Sequence, residues 1–336
     1  MRSFASGGGR NRPGKRSAWT PPAGGGGGRR DAGSAPEDES QESHKPRLRS
    51  QRSWMGHLAH KKSEEPLDEV EQKMRDHEMA IAREIQENLL PKQLPKCEGY
   101  DIGAYYRPSL EIGGDYYDFF QMDSENVGIC VADVSGKGIP GSLVMTMARS
   151  LLRMEGMRNP SAADTLMKVN RYLTPDIKRG MFVTVMYVIL NTVKQTLLVT
   201  SAGHNPMVLY RKATNTCHLV NPNGLALGID RGPLFDKTIK EQLIQLHTGD
   251  RFVLHTDGVV GSMNSKQEQL GDHRLYLLVK QYAEKGSNEF SNLIATVLEN
   301  HKGDAPQHDD ITMVTVRLLP PGMSTPSASV VPSVRV

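Results

Sequence analysis

The chain has 336 residues, which is enough for one domain of about 200–250 residues together with additional segments. Its 41 basic and 38 acidic residues nearly cancel, so the charge by itself indicates neither a nucleic-acid partner nor a membrane surface. The three cysteines, Cys97, Cys130 and Cys217, lack the spacing of a zinc site, and no apolar run reaches the roughly 18 residues that span a bilayer. We therefore expect a cytoplasmic protein without a membrane or nucleic-acid partner.

Both ends of the chain have the composition of unstructured segments. Residues 1–62 are rich in Gly, Arg, Ser, Pro and Lys and contain very few aliphatic side chains. Such a segment cannot bury enough apolar surface to offset the entropy lost on ordering. We predict disordered tails at 1–62 and 319–336, the first of which is either a solvated tail or a weak contact for RNA or an acidic partner.

A long helix is predicted between the N-terminal tail and the main domain, within residues 63–96. Over 66–90, apolar residues recur three, four or seven positions apart, and Pro66 and Pro91 mark the two ends. The apolar positions are Val70, Met74, Ile81, Ile85 and Leu89. Two interpretations remain open: a helix buried along its own domain, or a regulatory helix that pairs with a second copy of the chain.

Residues 97–318 show alternating strand and helix patterns. The predicted strands are 127–134, 182–191, 195–203, 206–211, 250–258 and 310–318. The predicted helices are 141–153, 161–173, 272–284 and 287–301. Because several successive strands are joined by short turns, they must be antiparallel. The expected fold class is α+β, an antiparallel sheet with helices packed outside it.

Aspartates interrupt the hydrophobic pattern where strands begin or end, in GGDYYD, VADVSGKG, HTDGVV and QHDDIT. They are Asp115, Asp118, Asp133, Asp257, Asp309 and Asp310. One such aspartate alone is typical of a turn or a helix cap. Strand ends of one sheet converge, however, so several carboxylates could share a cleft, where they would repel one another and bind protons. Lys137 is the single basic residue in these stretches, so a hard divalent ion, Mg²⁺ or Mn²⁺, is the remaining compensation.

Two such ions with water ligands favour hydrolysis of a phosphoester. The thiolate phosphatase loop is absent, since no cysteine is followed six residues later by arginine, and SGKG lacks the spacing of a nucleotide P-loop. His204, in AGHNP, is either a hydrogen-bonded structural histidine or a metal ligand or proton donor.

Five motifs in order, GGDYYDFF, VADVSGKGIPGSLVMTMAR, SAGHNP, TDGV and DDIT, resemble those of bacterial PPM-type (protein phosphatase 2C-like) serine/threonine phosphatases. The resemblance is to the RsbU/SpoIIE branch and covers residues 75–318, since AREIQENLLPKQLP is similar to the segment that precedes those domains. It implies an antiparallel β-sandwich flanked by helices over 97–318, with a Mn²⁺ or Mg²⁺ pair at one edge.

The resemblance also implies the role of each acidic residue. Metal ligands, acting through activated water, would be Asp115, Asp133, Asp257, Asp309 and the backbone carbonyl of Val134, with Asp133 bridging both ions. Supporting or structural positions would be Gly114, Asp118, Lys137, Gly258 and Asp310.

The substrate that the resemblance implies is phosphoserine or phosphothreonine on a STAS-domain anti-sigma-factor antagonist in a partner-switching pathway. An upstream activator protein would set the activity, or dimerisation through 66–90 would do so. Two alternatives are a non-catalytic scaffold that keeps the fold and a metal-dependent hydrolase of a small phosphate metabolite.

Overall fold

The structure, a computed structural model, describes residues 69–323 and 330–331; the tail predicted at 1–62 lies outside them. The helices are α1 Glu69–Leu89, α2 Gly138–Gly156, α3 Ala162–Leu173, α4 Pro233–Thr238, α5 Asp257–Val260, α6 Asp272–Tyr282 and α7 Ser287–Lys302. The strands are β1 Tyr100–Arg107, β2 Tyr116–Gln121, β3 Asn126–Val134, β4 Val183–Asn191, β5 Thr196–Ala202, β6 Met207–Arg211, β7 Thr216–Val220, β8 Glu241–Gln245, β9 Arg251–His255, β10 Ile311–Leu318 and β11 Val330–Val331.

The strands form two sheets. The six-stranded sheet has the order β11-β1-β10-β9-β6-β7, and the five-stranded sheet has the order β2-β3-β4-β5-β8. Every pairing is antiparallel except that of β11 with β1, which is parallel. The predicted α+β class with antiparallel sheets and flanking helices is confirmed. The short β11 lies in the segment predicted to be unstructured and differs from that prediction.

The two sheets face each other, and helices cover the outer face of each. Tyr106 of β1 and Tyr117 of β2 meet between the sheets, with ring centroids 6.1 Å apart. Helices α2 and α3 pack outside the five-stranded sheet, and α6 and α7 pack outside the six-stranded sheet. Because side chains alternate along a strand, one face of each strand fills the space between the sheets and the other face meets the helices.

Helix α1 buries very little of its apolar stripe. Val70 and Met74 are each 61% exposed, and Ile81 and Ile85 are also exposed. The one buried residue of the helix is Gln86. The interpretation of a helix buried along its own domain is therefore wrong for most of its length, and the pairing interpretation stays a prediction.

Most predicted elements agree with the observed ones to within a few residues, but α2 begins three residues before the predicted start. Pro140 and Gly141 resemble a helix break in sequence, yet proline is tolerated in the first turn, where its missing N–H needs no intrahelical partner. Within 69–323, none of the helices combines the length and the apolar character needed to cross a membrane.

Candidate active site

Acidic residues from both sheets meet at one end of the sandwich. Tyr116 pairs with Ala132, so Asp115 and Asp133 lie at neighbouring positions where β2 begins and β3 ends. In the other sheet, Asp257 lies two residues after the end of β9, and Asp309 lies two residues before the start of its partner β10. A cleft of about 340 Å³ opens between these strand ends. Its lining is Asp133, Val134, Ser135, Gly136, Lys137, Phe182, Thr184, Gly203, Asn205, Asp257, Asp309 and Asp310.

Asp133 lies at the centre of this acidic group. Burial raises its pKa to about 7, and the negative charges of Asp257 and Asp309 add to the rise while Lys137 opposes it. Each neighbouring carboxylate disfavours the ionised form of the others because little solvent lies between them. The raised pKa of Asp133 indicates that too little positive charge lies near its carboxylate.

Asp115 is 2% exposed and lies deeper than the cleft lining. Its Oδ2 accepts hydrogen bonds from Thr256 Oγ1 at 2.8 Å and from Thr312 Oγ1 at 2.5 Å. Burial, followed by the charges of Asp133 and Asp310, raises the pKa of Asp115 well above its ordinary value, although the two hydroxyls lower it. The hydroxyls fix the carboxyl group, but they supply no charge to balance it.

Asp310 holds the loop that leads into β2. Its Oδ1 accepts from the backbone N–H of Ser109 at 2.6 Å and from the Ser109 hydroxyl at 2.9 Å. Its Oδ2 accepts from the N–H of Gly114 at 2.7 Å and of Asp115 at 3.4 Å. These bonds engage both oxygens of Asp310 with the backbone and hydroxyl groups of this loop, and its structural role stays a prediction.

Asp257 and Asp309 form the side of the cleft that belongs to the six-stranded sheet. Partial burial, together with the nearby charge of Asp309, raises the pKa of Asp257. Lys137 Nζ lies 3.0 Å from Asp309 Oδ1 and also donates to the carbonyl of His308. Lys137 is the one cationic side chain that lines the cleft. Because both members of its ion pair are about half exposed, the pair contributes little to stability.

Two predicted glycines lie where backbones approach closely. A Cβ on Gly258 would lie 1.9 Å from the carbonyl oxygen of Asp310, which directly precedes β10. Only glycine therefore allows α5 to start so close to this backbone. A Cβ on Gly114 would lie 3.1 Å from the carbonyl oxygens of Val134 and Gly136. The loop before Asp115 thus packs on the backbone segment that carries the Val134 carbonyl.

Asp118 lies away from the cleft, on the face of β2 that meets α2. Its Oδ2 is 2.8 Å from Arg153 Nη1 and also accepts from the hydroxyl of Tyr116, while Oδ1 accepts from the N–H of Phe119 at 2.8 Å. Burial raises the pKa of Asp118, and these partners oppose the shift. Arg153 and these hydrogen bonds compensate the charge of Asp118 without a metal.

His204 is buried beneath the cleft floor. Its Nδ1 lies 2.8 Å from Thr184 Oγ1, and burial lowers its pKa to about 3, so the ring is neutral at ordinary pH. Nε2 has no hydrogen-bond partner among the described residues. The contact with Thr184 is typical of a structural histidine, while the unpartnered Nε2 leaves the interpretation as a metal ligand or proton donor open.

The residues at the cleft suit a hard divalent ion by their chemistry. Their side-chain donors are carboxylate oxygens, joined by the carbonyl of Val134, and the set lacks sulfur and imidazole. Among residues 69–323, no group of three or more His, Cys, Asp or Glu side chains is placed so that it could hold a metal ion. Such a group is not required, because Mg²⁺ keeps several waters and binds one or two carboxylates directly. The charge deficit at Asp115 and Asp133 is the observation that favours such an ion.

Sequence reasoning missed the groups that position the carboxylates. Thr256 and Thr312 stand beside motif aspartates in HTDG and DDIT, and alternation along β10 was the available signal for Thr312. Gln86 Nε2 donates to the Gly113 carbonyl at 2.7 Å, and the Gly113 N–H donates to Gln86 Oε1 at 2.9 Å. This pair ties α1 to the loop that carries Asp115, and the helical pattern gave no sign of it.

Comparison with known proteins agrees with the architecture and with the motifs. The family described as Stage II sporulation protein E (SpoIIE) matches residues 123–319, more than half of the chain. The chain belongs to the SpoIIE family. The family match and the similarity to a phosphoserine phosphatase place the chain among the protein serine/threonine phosphatases, which confirms the prediction from the motifs.

Individual relatives and solved structures agree with the assignment to this family. The chain is 32% identical over 241 residues to the phosphoserine phosphatase RsbU of Bacillus subtilis, a match that covers 71% of this chain and 70% of RsbU. Among solved structures, the SiaA-PP2C domain of Pseudomonas aeruginosa has a TM-score of 0.64 at 22% identity, covering 74% of this chain and 98% of that domain. RsbX, solved in complex with magnesium, has a TM-score of 0.51 at 17% identity, covering 67% and 98%. These two structures support the PP2C-like fold.

Proposed function

We propose that this phosphatase hydrolyses phosphoserine or phosphothreonine on a protein, using two divalent ions, Mn²⁺ or Mg²⁺, at the cleft. The observation that carries the proposal is that Asp133, Asp257 and Asp309, from three separate chain segments, line one cleft. Asp115 is buried nearby, where the charge of Asp133 raises its pKa, and one half-exposed lysine is the only cation that lines the cleft. The ligands would be Asp115, Asp133, Asp257, Asp309 and the Val134 carbonyl.

Each residue has a distinct task in this proposal. When bound, the ions would lower the pKa of a water molecule and offset charge on the phosphoryl oxygens. Asp133, placed between Asp115 and the pair Asp257 and Asp309, would bridge the two ions. The threonine hydroxyls hold Asp115 at a fixed angle, and Lys137 offers a cation at the cleft entrance.

The substrate is a STAS-domain anti-sigma-factor antagonist in this proposal. The relative RsbU is a phosphoserine phosphatase, and the chain covers most of its length. The scaffold alternative predicts the loss of a cleft aspartate, and all four are present. No observation favours the small-metabolite alternative.

The experiment is release of phosphate from serine-phosphorylated STAS-domain proteins by the purified full chain with Mn²⁺, with Mg²⁺ and with EDTA. We expect turnover with at least one metal and none with EDTA. Turnover that is unchanged in EDTA would reject the two-metal mechanism, and hydrolysis of small phosphates alone would reject the protein substrate.

For regulation, we propose that α1 pairs with a second copy of the chain or binds an upstream activator. Its apolar stripe is exposed, and Gln86 links it to the loop that carries Asp115. Met74→Glu with Ile81→Glu changes exposed positions only. If α1 pairs with a second copy, sedimentation of the full chain will show a dimer that these changes convert to a monomer. A wild-type monomer would leave the activator as the remaining proposal.

A further inference from the structure

Three large apolar side chains are exposed beside the cleft. Leu110 is 50% exposed, Ile139 is 54% exposed and Leu143 is 62% exposed. Single exposed apolar residues are ordinary on a protein surface, but a contiguous group marks an interaction site. The question is therefore whether these three side chains form one surface.

The backbone places them together. A Cβ on Gly138 would lie 3.8 Å from Leu110 Cδ1, so the side chain of Leu110 reaches the first residue of α2. Ile139 is the next residue, and Leu143 lies four positions further along the same helix face. We call the surface formed by Leu110, Ile139 and Leu143 the α2 rim.

The α2 rim adjoins the cleft directly. Lys137, which lines the cleft, immediately precedes Gly138 and the start of α2. A substrate whose phosphate lies near Lys137 would therefore have neighbouring atoms within reach of Ile139. The cleft itself, about 340 Å³ and lined mainly by polar groups, suits a phosphoryl group and its immediate surroundings. A folded protein substrate must make its remaining contacts on the surface around the cleft.

We propose that the α2 rim is the docking surface for the folded phosphoprotein substrate, which presents apolar side chains next to its phosphorylated residue. The inference rests on the proposed function and deepens it. Continuity with the cleft favours the substrate as the occupant, because Lys137 lines the cleft and the α2 rim begins two residues after it. Apolar contacts on the α2 rim would supply most of the affinity for the phosphoprotein. The charged cleft beside the rim would orient the phosphorylated residue.

The test compares two substrates and two sets of variants in the full-length enzyme. The rim variant is Ile139→Gln with Leu143→Gln, which removes apolar surface without adding charge. The control is Leu277→Gln, a single change of the same kind at a helix residue that is 53% exposed on α6, over the other sheet. The substrates are a serine-phosphorylated STAS-domain protein and p-nitrophenyl phosphate, which has no protein surface to place on the α2 rim.

We expect the rim variant to lose at least about tenfold in kcat/KM for the phosphoprotein, mainly through a higher KM. Both variants should keep wild-type activity toward p-nitrophenyl phosphate, and Leu277→Gln should keep wild-type activity toward the phosphoprotein. Unchanged phosphoprotein kinetics in the rim variant would overturn the proposal. Equal losses on both substrates would also overturn it, since the rim would then shape the cleft.

Two further outcomes bear on what occupies the α2 rim. If sedimentation shows that the rim variant has changed its oligomeric state, the occupant is a second copy of the chain and the substrate proposal is wrong. If the wild type hydrolyses p-nitrophenyl phosphate but no phosphoprotein, the proposed protein substrate fails, and the docking inference fails with it. A loss of kcat/KM that occurs only in the rim variant and only with the phosphoprotein supports both the protein substrate and the docking inference.

Discussion

Asp115 and Asp118 lie three residues apart in one short stretch, yet they belong to two different kinds of site. Side chains alternate along an extended strand, so an odd separation places them on opposite faces of the five-stranded sheet. Asp118 faces α2 and meets Arg153 and two further donors. Asp115 faces the space between the sheets, where its charged neighbours Asp133 and Asp310 have the same sign.

The difference separates a carboxylate whose charge is balanced within the chain from one that we propose to bind a metal. Both are buried, and burial alone raises the pKa of each. At Asp118 a guanidinium restores the balance within the chain. At the cleft the single lysine stands beside Asp309, and the carboxylates outnumber it. We call the cleft carboxylates the uncompensated region, where an external cation should bind, and Asp118 with its partners the compensated region.

The largest expected effect is on catalysis at the uncompensated region. Asp133→Ala or Asp257→Ala should reduce Mn²⁺-dependent hydrolysis by about a thousandfold or more, because metal charge stabilisation supplies several kcal/mol of the rate enhancement. Circular dichroism should show an intact fold. Asp118→Ala should keep most of its activity per folded molecule. Comparable loss of activity in all three variants would remove the distinction between the two regions.

Substitutions in the compensated region should instead lower the stability of the fold. Asp118→Ala leaves Arg153 and the Tyr116 hydroxyl without their buried acceptor, so we expect the free energy of unfolding to fall by about 1–3 kcal/mol. Urea denaturation measures the change. Arg153→Met, which removes the other partner, should be destabilised as well. If Asp118→Ala unfolds at the wild-type urea concentration, Arg153 does not compensate its charge.

A smaller effect should appear in the pH dependence of metal binding. The pKa of Asp133 is raised to about 7, so protons compete with the metal below that pH. We expect Mn²⁺ affinity to weaken by about tenfold for each pH unit below 7, and to level off above it. Titrations at pH 6, 7 and 8 measure this, and a flat profile would mean that Asp133 is already ionised at pH 6.

The same shift has a defined sign for the stability of the metal-free protein. The folded state binds more protons than the unfolded state between about pH 4, the ordinary pKa of aspartate, and about pH 7. The stability of the metal-free wild type should therefore fall as the pH rises through this range, relative to Asp133→Asn. An increase of stability over the same range would contradict the raised pKa.

The smallest expected effect is that of removing residues 1–62, which lie outside the part of the chain that the structure describes. Deletion of this segment should leave hydrolysis of p-nitrophenyl phosphate nearly unchanged. A loss of severalfold would show that the segment contributes to the cleft and would contradict the prediction of a solvated tail.

The sequence predicted the parts of the fold that depend on local pattern. Strand β3 and helix α3 were recognisable because their apolar residues repeat with the period of the element. Strands β1 and β2 were not predicted, because both are buried on two faces and carry charged residues, so neither shows alternation. Tertiary packing, which local pattern does not record, gives them their place in the sheets.

For the site, the sequence indicated where the aspartates lie better than it indicated their partners. Asp133 and Asp257, both singled out by their motifs, line one cleft because strand ends converge, and their role as metal ligands stays a prediction. Arg153 is 35 residues from Asp118, and Thr312 is 197 residues from Asp115. Contacts over such separations depend on how the two sheets and α2 pack, so the compensated and uncompensated aspartates looked alike in the sequence.

The most direct test of the charge deficit is calorimetric titration of the full chain with Mn²⁺ for the wild type, Asp133→Ala and Asp118→Ala. The account predicts binding in the wild type and in Asp118→Ala, and loss of that binding in Asp133→Ala. No manganese uptake by the wild type, or equal uptake by the wild type and Asp133→Ala, would contradict it.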